Sequence, residues 1–105
     1  MTWHGETVGY LVDPRPDVWY LEGQWLPAPS FHTDTFLARA ATLDPKACMA
    51  GKQRGLVVEL HEDASPDAVP TLAVVIAPPA QTLFVRRVFD EKAVAMVRRW
   101  EKEEI

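Results

Sequence analysis

Three short apolar runs crowd the second half of the chain and restrict its fold more than any other feature. They are GLVVELHE (55–62), TLAVVIA (71–77) and TLFVRRVF (82–89). In the first, Leu56, Val58 and Leu60 alternate with Glu59 and His61, the period of two expected of a strand with one wet face. The links between the runs are DASPDAVP (63–70), an exposed loop, and a stretch begun by Pro78-Pro79. Neither is long enough for the helical crossover that parallel strands require, so the strands must pair antiparallel. TLAVVIA is apolar on both faces, which predicts a central strand covered at least in part on both sides.

The first half adds more strands and a helix. ETVGYLV (6–12) is rich in strand formers, with Val8, Tyr10 and Val12 on one face. The prolines of DPRP (13–16) should stop it, because each removes a backbone donor and restricts the residue before it. VWYL (18–21) and QWL (24–26) flank Glu22-Gly23 and predict a tight hairpin with a two-residue loop. Pro27 marks the second of these strands as an edge. TDTFLARAATL (33–43) predicts a helix capped by Thr33, with Phe36, Leu37, Ala40 and Leu43 at helical spacing. Asp44-Pro45 ends it, and Asp44 can cap a further short turn closed by Gly51.

DEKAVAMVRRWEKEEI (90–105) predicts the second main helix, capped by Asp90, with Phe89 stapled onto Val94. Its buried stripe would be Ala93, Val94, Met96, Val97 and Trp100. The order is βββα-βββα. The expected fold class is therefore α+β in a single domain over residues 1–105. One mostly antiparallel sheet of about five to six strands would carry two main helices packed against it.

Composition narrows the function classes. The chain has 105 residues, 48% hydrophobic and 25% charged, and a net charge of −4. An acidic balance argues against nucleic acid, since neutralising phosphates takes a surplus of lysine and arginine. Cys48 is the single cysteine, so no internal disulfide can form, which fits a reducing compartment. The opening residues lack the basic and apolar regions of a secretory signal, and LAVVIA is too short to span a bilayer. The expectation is a cytoplasmic protein without membrane contact.

The candidate site residues come from two places. In DVWYLEGQW (17–25), a loop at 22–23 sets Tyr20 opposite Trp25 on one face, and Trp19, Leu21 and Leu26 on the other. The second group is the more apolar and is assigned to the core, leaving Tyr20 and Trp25 either under another element or partly exposed as a platform for a partner. Arg86 and Arg87 are adjacent on a strand and point to opposite faces. The one beside the helices should pair with Glu59 or a helix acid, while the other could join Arg98 and Arg99 in a basic patch.

Catalytic signals are thin. His61 and Glu59 share a strand face and could trade a proton or begin a metal site, but two groups do not complete one. His4 and His32 lie elsewhere in the sequence. Cys48 lacks a positioned histidine and reads as a small buried hydrophobe. No phosphate-loop, nucleophile-elbow or metal-ligand spacing is present. The sequence thus predicts a non-catalytic interaction module with no cofactor and no metal. It would bind a protein partner or itself through Tyr20, Trp25, Arg86 and Arg87. The alternative is a small-molecule-binding protein or enzyme with a pocket near Glu59, His61 and Arg87.

Overall fold

The three second-half strands form as their patterns require, and they set the frame on which the rest is built. The computed structural model describes residues 1–62 and 67–104. Residues 63–66, the first half of the predicted loop at 63–70, lie outside them. Among the described residues, β1 (Thr2–Trp3), β2 (Glu6–Thr7), β3 (Gly9–Asp17) and β4 (Tyr20–Pro27) precede the helices α1 (Phe31–Ala40) and α2 (Pro45–Met49). Then follow β5 (Leu56–Leu60), β6 (Thr71–Val75), β7 (Thr82–Arg87) and α3 (Glu91–Glu103). The class is α+β, with seven strands rather than five to six and a third, short helix. The order is four strands, two helices, three strands and a helix: Thr2–Trp3 adds a strand, the run at 6–12 is divided at Val8, and the runs at 18–21 and 24–26 join in β4.

All strand pairs are antiparallel, in the order β2-β1-β5-β6-β7-β4-β3. The two outermost strands of that order are separated in the chain by Val8 alone. The Val8 N–H donates to the Met1 carbonyl and the Val8 carbonyl accepts from the Ala28 N–H, both at 3.0 Å. Val8 is therefore bonded toward both margins, and the sheet curls until they meet. The result is a barrel closed at Val8–Gly9. Beyond that point it splays open, because the outer edge of β3 continues to Asp17 without a strand beside it.

One face of the sheet lines the barrel, and the other carries α3. Leu56, Val58, Ala73, Val75, Leu83 and Val85 face inward and are buried with Trp25 and with Phe36 and Ala40 of α1. Phe36 meets Trp3 and Trp25 at ring-centroid distances of 5.6 and 6.2 Å, so α1 stops one end of the barrel. Val57, Leu72, Val74 and Ile76 face outward and are buried with Val97 of α3. Thus β6 is covered on both faces, as its continuous apolar pattern predicts.

The β3–β4 hairpin corrects the sequence reading. Its turn is Val18–Trp19, with Asp17 paired to Tyr20, and Glu22-Gly23 lies inside β4. Gly23 marks a close approach rather than a turn: a Cβ there would lie 2.8 Å from the Val12 carbonyl oxygen and 3.0 Å from Leu11 Cγ. DPRP does not end the strand. The register shifts between Val12 and Arg15, Asp13 takes a φ of +50°, and the prolines sit on an edge where no ladder donor is missed. That edge is β3; β4 with Pro27 lies between β3 and β7.

The helix caps follow simple rules. Ser30, not Thr33, caps α1, accepting from the Thr33 N–H at 3.1 Å. Thr33 is buried instead, and its hydroxyl donates to the Val8 carbonyl. Asp44 and Asp90 cap α2 and α3 as predicted, and Gly51 follows α2 with a φ of +73°. At the far end of α3, Glu104 accepts from the Val57 N–H at 3.2 Å and lies 3.1 Å from His4 Nε2. Burial there pushes the Glu104 carboxyl above its ordinary range, partly offset by the Val57 hydrogen bond and His4.

Candidate functional site

The hairpin tip is built from two residues that a chain optimised only for stability would not place there. Val18 has a φ of +53°, a left-handed conformation that costs a β-branched residue roughly 1–3 kcal/mol. Its side chain is 72% exposed, and that of Trp19 is 53% exposed. Arg87 ties the tip down. Its backbone N–H donates to the Trp19 carbonyl at 2.6 Å, and its Nη2 donates to the Val18 carbonyl at 2.7 Å. The same guanidinium lies 5.3 Å from the ring centre of Phe89, which is also exposed.

A groove of about 550 Å³ runs from this tip along the outer face of the sheet, between α3 and the end of α2. Its floor includes Val74, Ile76 and Tyr20, whose ring stacks on Phe84 at 4.8 Å and 15°. Trp19, Met49, Phe89 and Met96 border it and are 43–57% exposed. The charged residues that line it are Arg54, Arg86, Arg87 and Asp90. Asp90 is already committed to the Ala93 N–H at 3.1 Å. Arg54 pairs with Glu103 and stands 5.5 Å over Trp100. Arg86 is exposed and makes no ion pair among the described residues. An apolar floor under a cationic rim can receive an apolar side chain with acidic neighbours.

The sequence-predicted residues are placed as follows. Tyr20 and Trp25 lie five residues apart on one strand and so on opposite faces. Tyr20 reaches the groove, whereas Trp25 is 7% exposed inside the barrel. The assignment of Trp19 and Leu26 to the core is reversed, since both are exposed; of that trio only Leu21 packs against the core. Arg86 is on the outer face opposite Tyr20, and Arg87 is on the inner face opposite Ala73.

Neither strand arginine pairs with Glu59. That carboxylate accepts from Arg98 at 3.1 Å, because α3 packs over β5 and brings its own arginine there first. Arg98 is held a second time by Glu101 at 3.0 Å, which removes it from any basic patch. His61 is exposed, and its Nε2 lies 3.1 Å from Thr2 Oγ1. Glu59, His61 and Arg87 therefore do not converge: His61 and Arg87 border the open barrel mouth, while Glu59 of β5 pairs with Arg98 of α3.

His4 and His32 meet Glu104 and Glu6 beside Trp3. No cluster of three or more metal-ligating side chains exists among the described residues. Cys48 lines the groove, but burial and the nearby Asp44 push its thiol above the usual range, so it is no activated nucleophile.

Three groove residues, Met49, Phe89 and Met96, escaped the sequence reading. Met96 was placed in the buried stripe of α3, yet Val97 alone of that helix is fully buried. Phe89 is exposed beside Arg87. Comparison with protein-family models, curated proteins and solved structures finds no match to this chain. No helix among the described residues is long and apolar enough to cross a membrane.

Proposed function

We propose that this chain is a non-catalytic binding module. Its outer groove takes an acidic segment of a protein partner that inserts an apolar anchor beside Trp19. One observation carries the reading: Trp19, Met49, Phe89 and Met96, all substantially exposed, surround a single groove whose rim has three arginines and one aspartate. Singly exposed apolar residues are ordinary, but a contiguous group of them marks an interaction surface. Trp and Arg are also the residues that most often dominate binding energy. The strained, pinned tip supports the same view, because backbone strain collects where geometry serves function.

The mode of binding is by side chains. Pro14 and Pro16 on the free edge of β3, with the bulge beside them, blunt it against extension by another strand. Charge complementarity favours an acidic partner over a second copy. In a symmetric dimer each patch meets itself, so the arginine rims would face each other between two chains of net charge −4. The lone thiol supports a reducing, cytoplasmic setting.

The test is selection from a displayed random-peptide library against the full chain. Enrichment of peptides with an aromatic or aliphatic anchor flanked by Asp or Glu, losing at least tenfold in affinity against Met96→Glu and Trp19→Ala, supports the proposal. Basic or charge-indifferent peptides, or binding that survives both substitutions, overturns it. A concentration-dependent dimer abolished by Met96→Glu would transfer the groove to self-association and also overturn it.

A further inference from the structure

We propose that the open mouth of the barrel is a second binding site, which shares Arg87 with the outer groove and takes a small apolar carboxylate. The mouth lies at the end opposite α1 and encloses about 540 Å³, within the size range of small-molecule pockets. Its walls are the last inward-facing layer of the sheet. One layer deeper, Val58, Ala73 and Val85 are at most 1% exposed. At the mouth, the inward residues Leu11, Leu21 and Leu60 pack on that core yet remain only half-buried. A small barrel ordinarily fills its interior with its own side chains. This one is filled up to the last layer and then stops, because β3 splays away instead of closing over the leucines.

The polar groups at the mouth favour one chemistry. Arg87 lines the cavity, and its Nε is buried without a hydrogen-bond partner among the described residues. Leaving a buried donor on a charged group unpaired is costly, and a carboxylate is the acceptor that satisfies it best. Nη2 of the same guanidinium donates to the Val18 carbonyl, which fixes the plane and leaves the Nε–H to donate to a ligand oxygen. The other titratable groups around the cavity are Tyr10, His61, Glu62 and the Met1 amino terminus, which donates to the Gly9 carbonyl at 2.9 Å. His61 and Glu62 are exposed on the rim, where water screens them. A ligand would thus set its carboxylate on Arg87 and its apolar body among Leu11, Leu21 and Leu60.

The experiment titrates octanoate and, separately, 1-octanol into the full chain carrying methyl-labelled Met and Leu. Met1, Leu11, Leu21 and Leu60 report on the mouth, while Met49 and Met96 report on the outer groove. The expected result is saturable octanoate binding that shifts the first set only, at least tenfold tighter than octanol. Leu60→Phe, which fills the mouth, should weaken octanoate at least tenfold, and Met96→Glu should leave it unchanged. Equal affinity for acid and alcohol overturns the assignment to Arg87. Shifts centred on Met49 and Met96, or no saturation by millimolar octanoate, overturn the site. The two ligand arms need no substitution, so the test stands even if Leu60→Phe fails to fold.

Discussion

Val18→Gly should make this protein more stable while weakening its groove. Val18 holds a φ of +53° at the hairpin tip, where a β-branched residue stores roughly 1–3 kcal/mol of backbone strain. Glycine adopts that conformation freely and releases the strain. Two terms oppose the gain. Glycine adds about 0.5–1 kcal/mol of unfolded-state entropy. The valine side chain is 72% exposed, so its lost burial amounts to only about 0.5 kcal/mol. The expected net is a gain of about 1 kcal/mol, or about 4–8 °C in Tm for a domain of this size.

Urea unfolding followed by tryptophan fluorescence measures it, with an unchanged slope showing that both end states are comparable. Val18→Asn, which also tolerates the left-handed region, should shift in the same direction by less. The same glycine variant should bind a groove peptide several-fold more weakly, because a looser tip must be ordered on binding. If Val18→Gly and Val18→Asn both lose stability, the tip is not strained and the reasoning fails.

Further expectations follow from the packing and the charges. Trp25→Ala should cost about 3–5 kcal/mol, as for other buried aromatics, whereas exposed Trp19→Ala should cost under about 1 kcal/mol; equal losses in chemical denaturation would contradict the two-face assignment. Gly9→Ala should lose about 1–3 kcal/mol by overpacking, since its Cβ would fall 2.3 Å from the Trp25 ring and 2.7 Å from the Leu26 carbonyl oxygen; a neutral result in thermal melts would contradict that contact. Glu104 has its folded pKa raised by burial, so between the ordinary carboxylate value and the raised one the folded state binds more protons than the unfolded state. Stability should therefore fall as pH rises through that window. Glu104→Gln, which keeps an acceptor for Val57, should remove this part of the pH profile and be the more stable form at neutral pH. An identical pH slope in the two proteins would refute the assignment.

The antiparallel frame was legible because β5, β6 and β7 carry their own periodicity and their links permit only one kind of pairing. The cap residues Asp44 and Asp90 were legible because capping is local. The β3–β4 hairpin was not. Glu22-Gly23 resembles a turn in sequence, and only the packing of Leu11 against Gly23 shows why glycine is needed within the strand. Moving the turn from 22–23 to 18–19 sent Trp25 into the core and Trp19 to the surface, since a change of register reassigns faces. Arg86 and Tyr20 reached the groove because each has an outward strand position. The remaining groove residues were hidden for a different reason. Met49 ends α2, while Phe89 precedes the Asp90 cap of α3 and Met96 lies within that helix, and nothing local in either segment records that the two meet.

The most direct test of the groove as a protein-binding site is a methyl-resolved titration of the full chain with an acidic, anchor-bearing peptide from the library selection. The methyl groups of Met49 and Met96 should shift together and saturate, Met1 at the barrel mouth should stay still, and Arg86→Glu should weaken binding at least tenfold. Saturation that moves Met1 but leaves Met49 and Met96 in place, or binding indifferent to Arg86→Glu, would contradict the account.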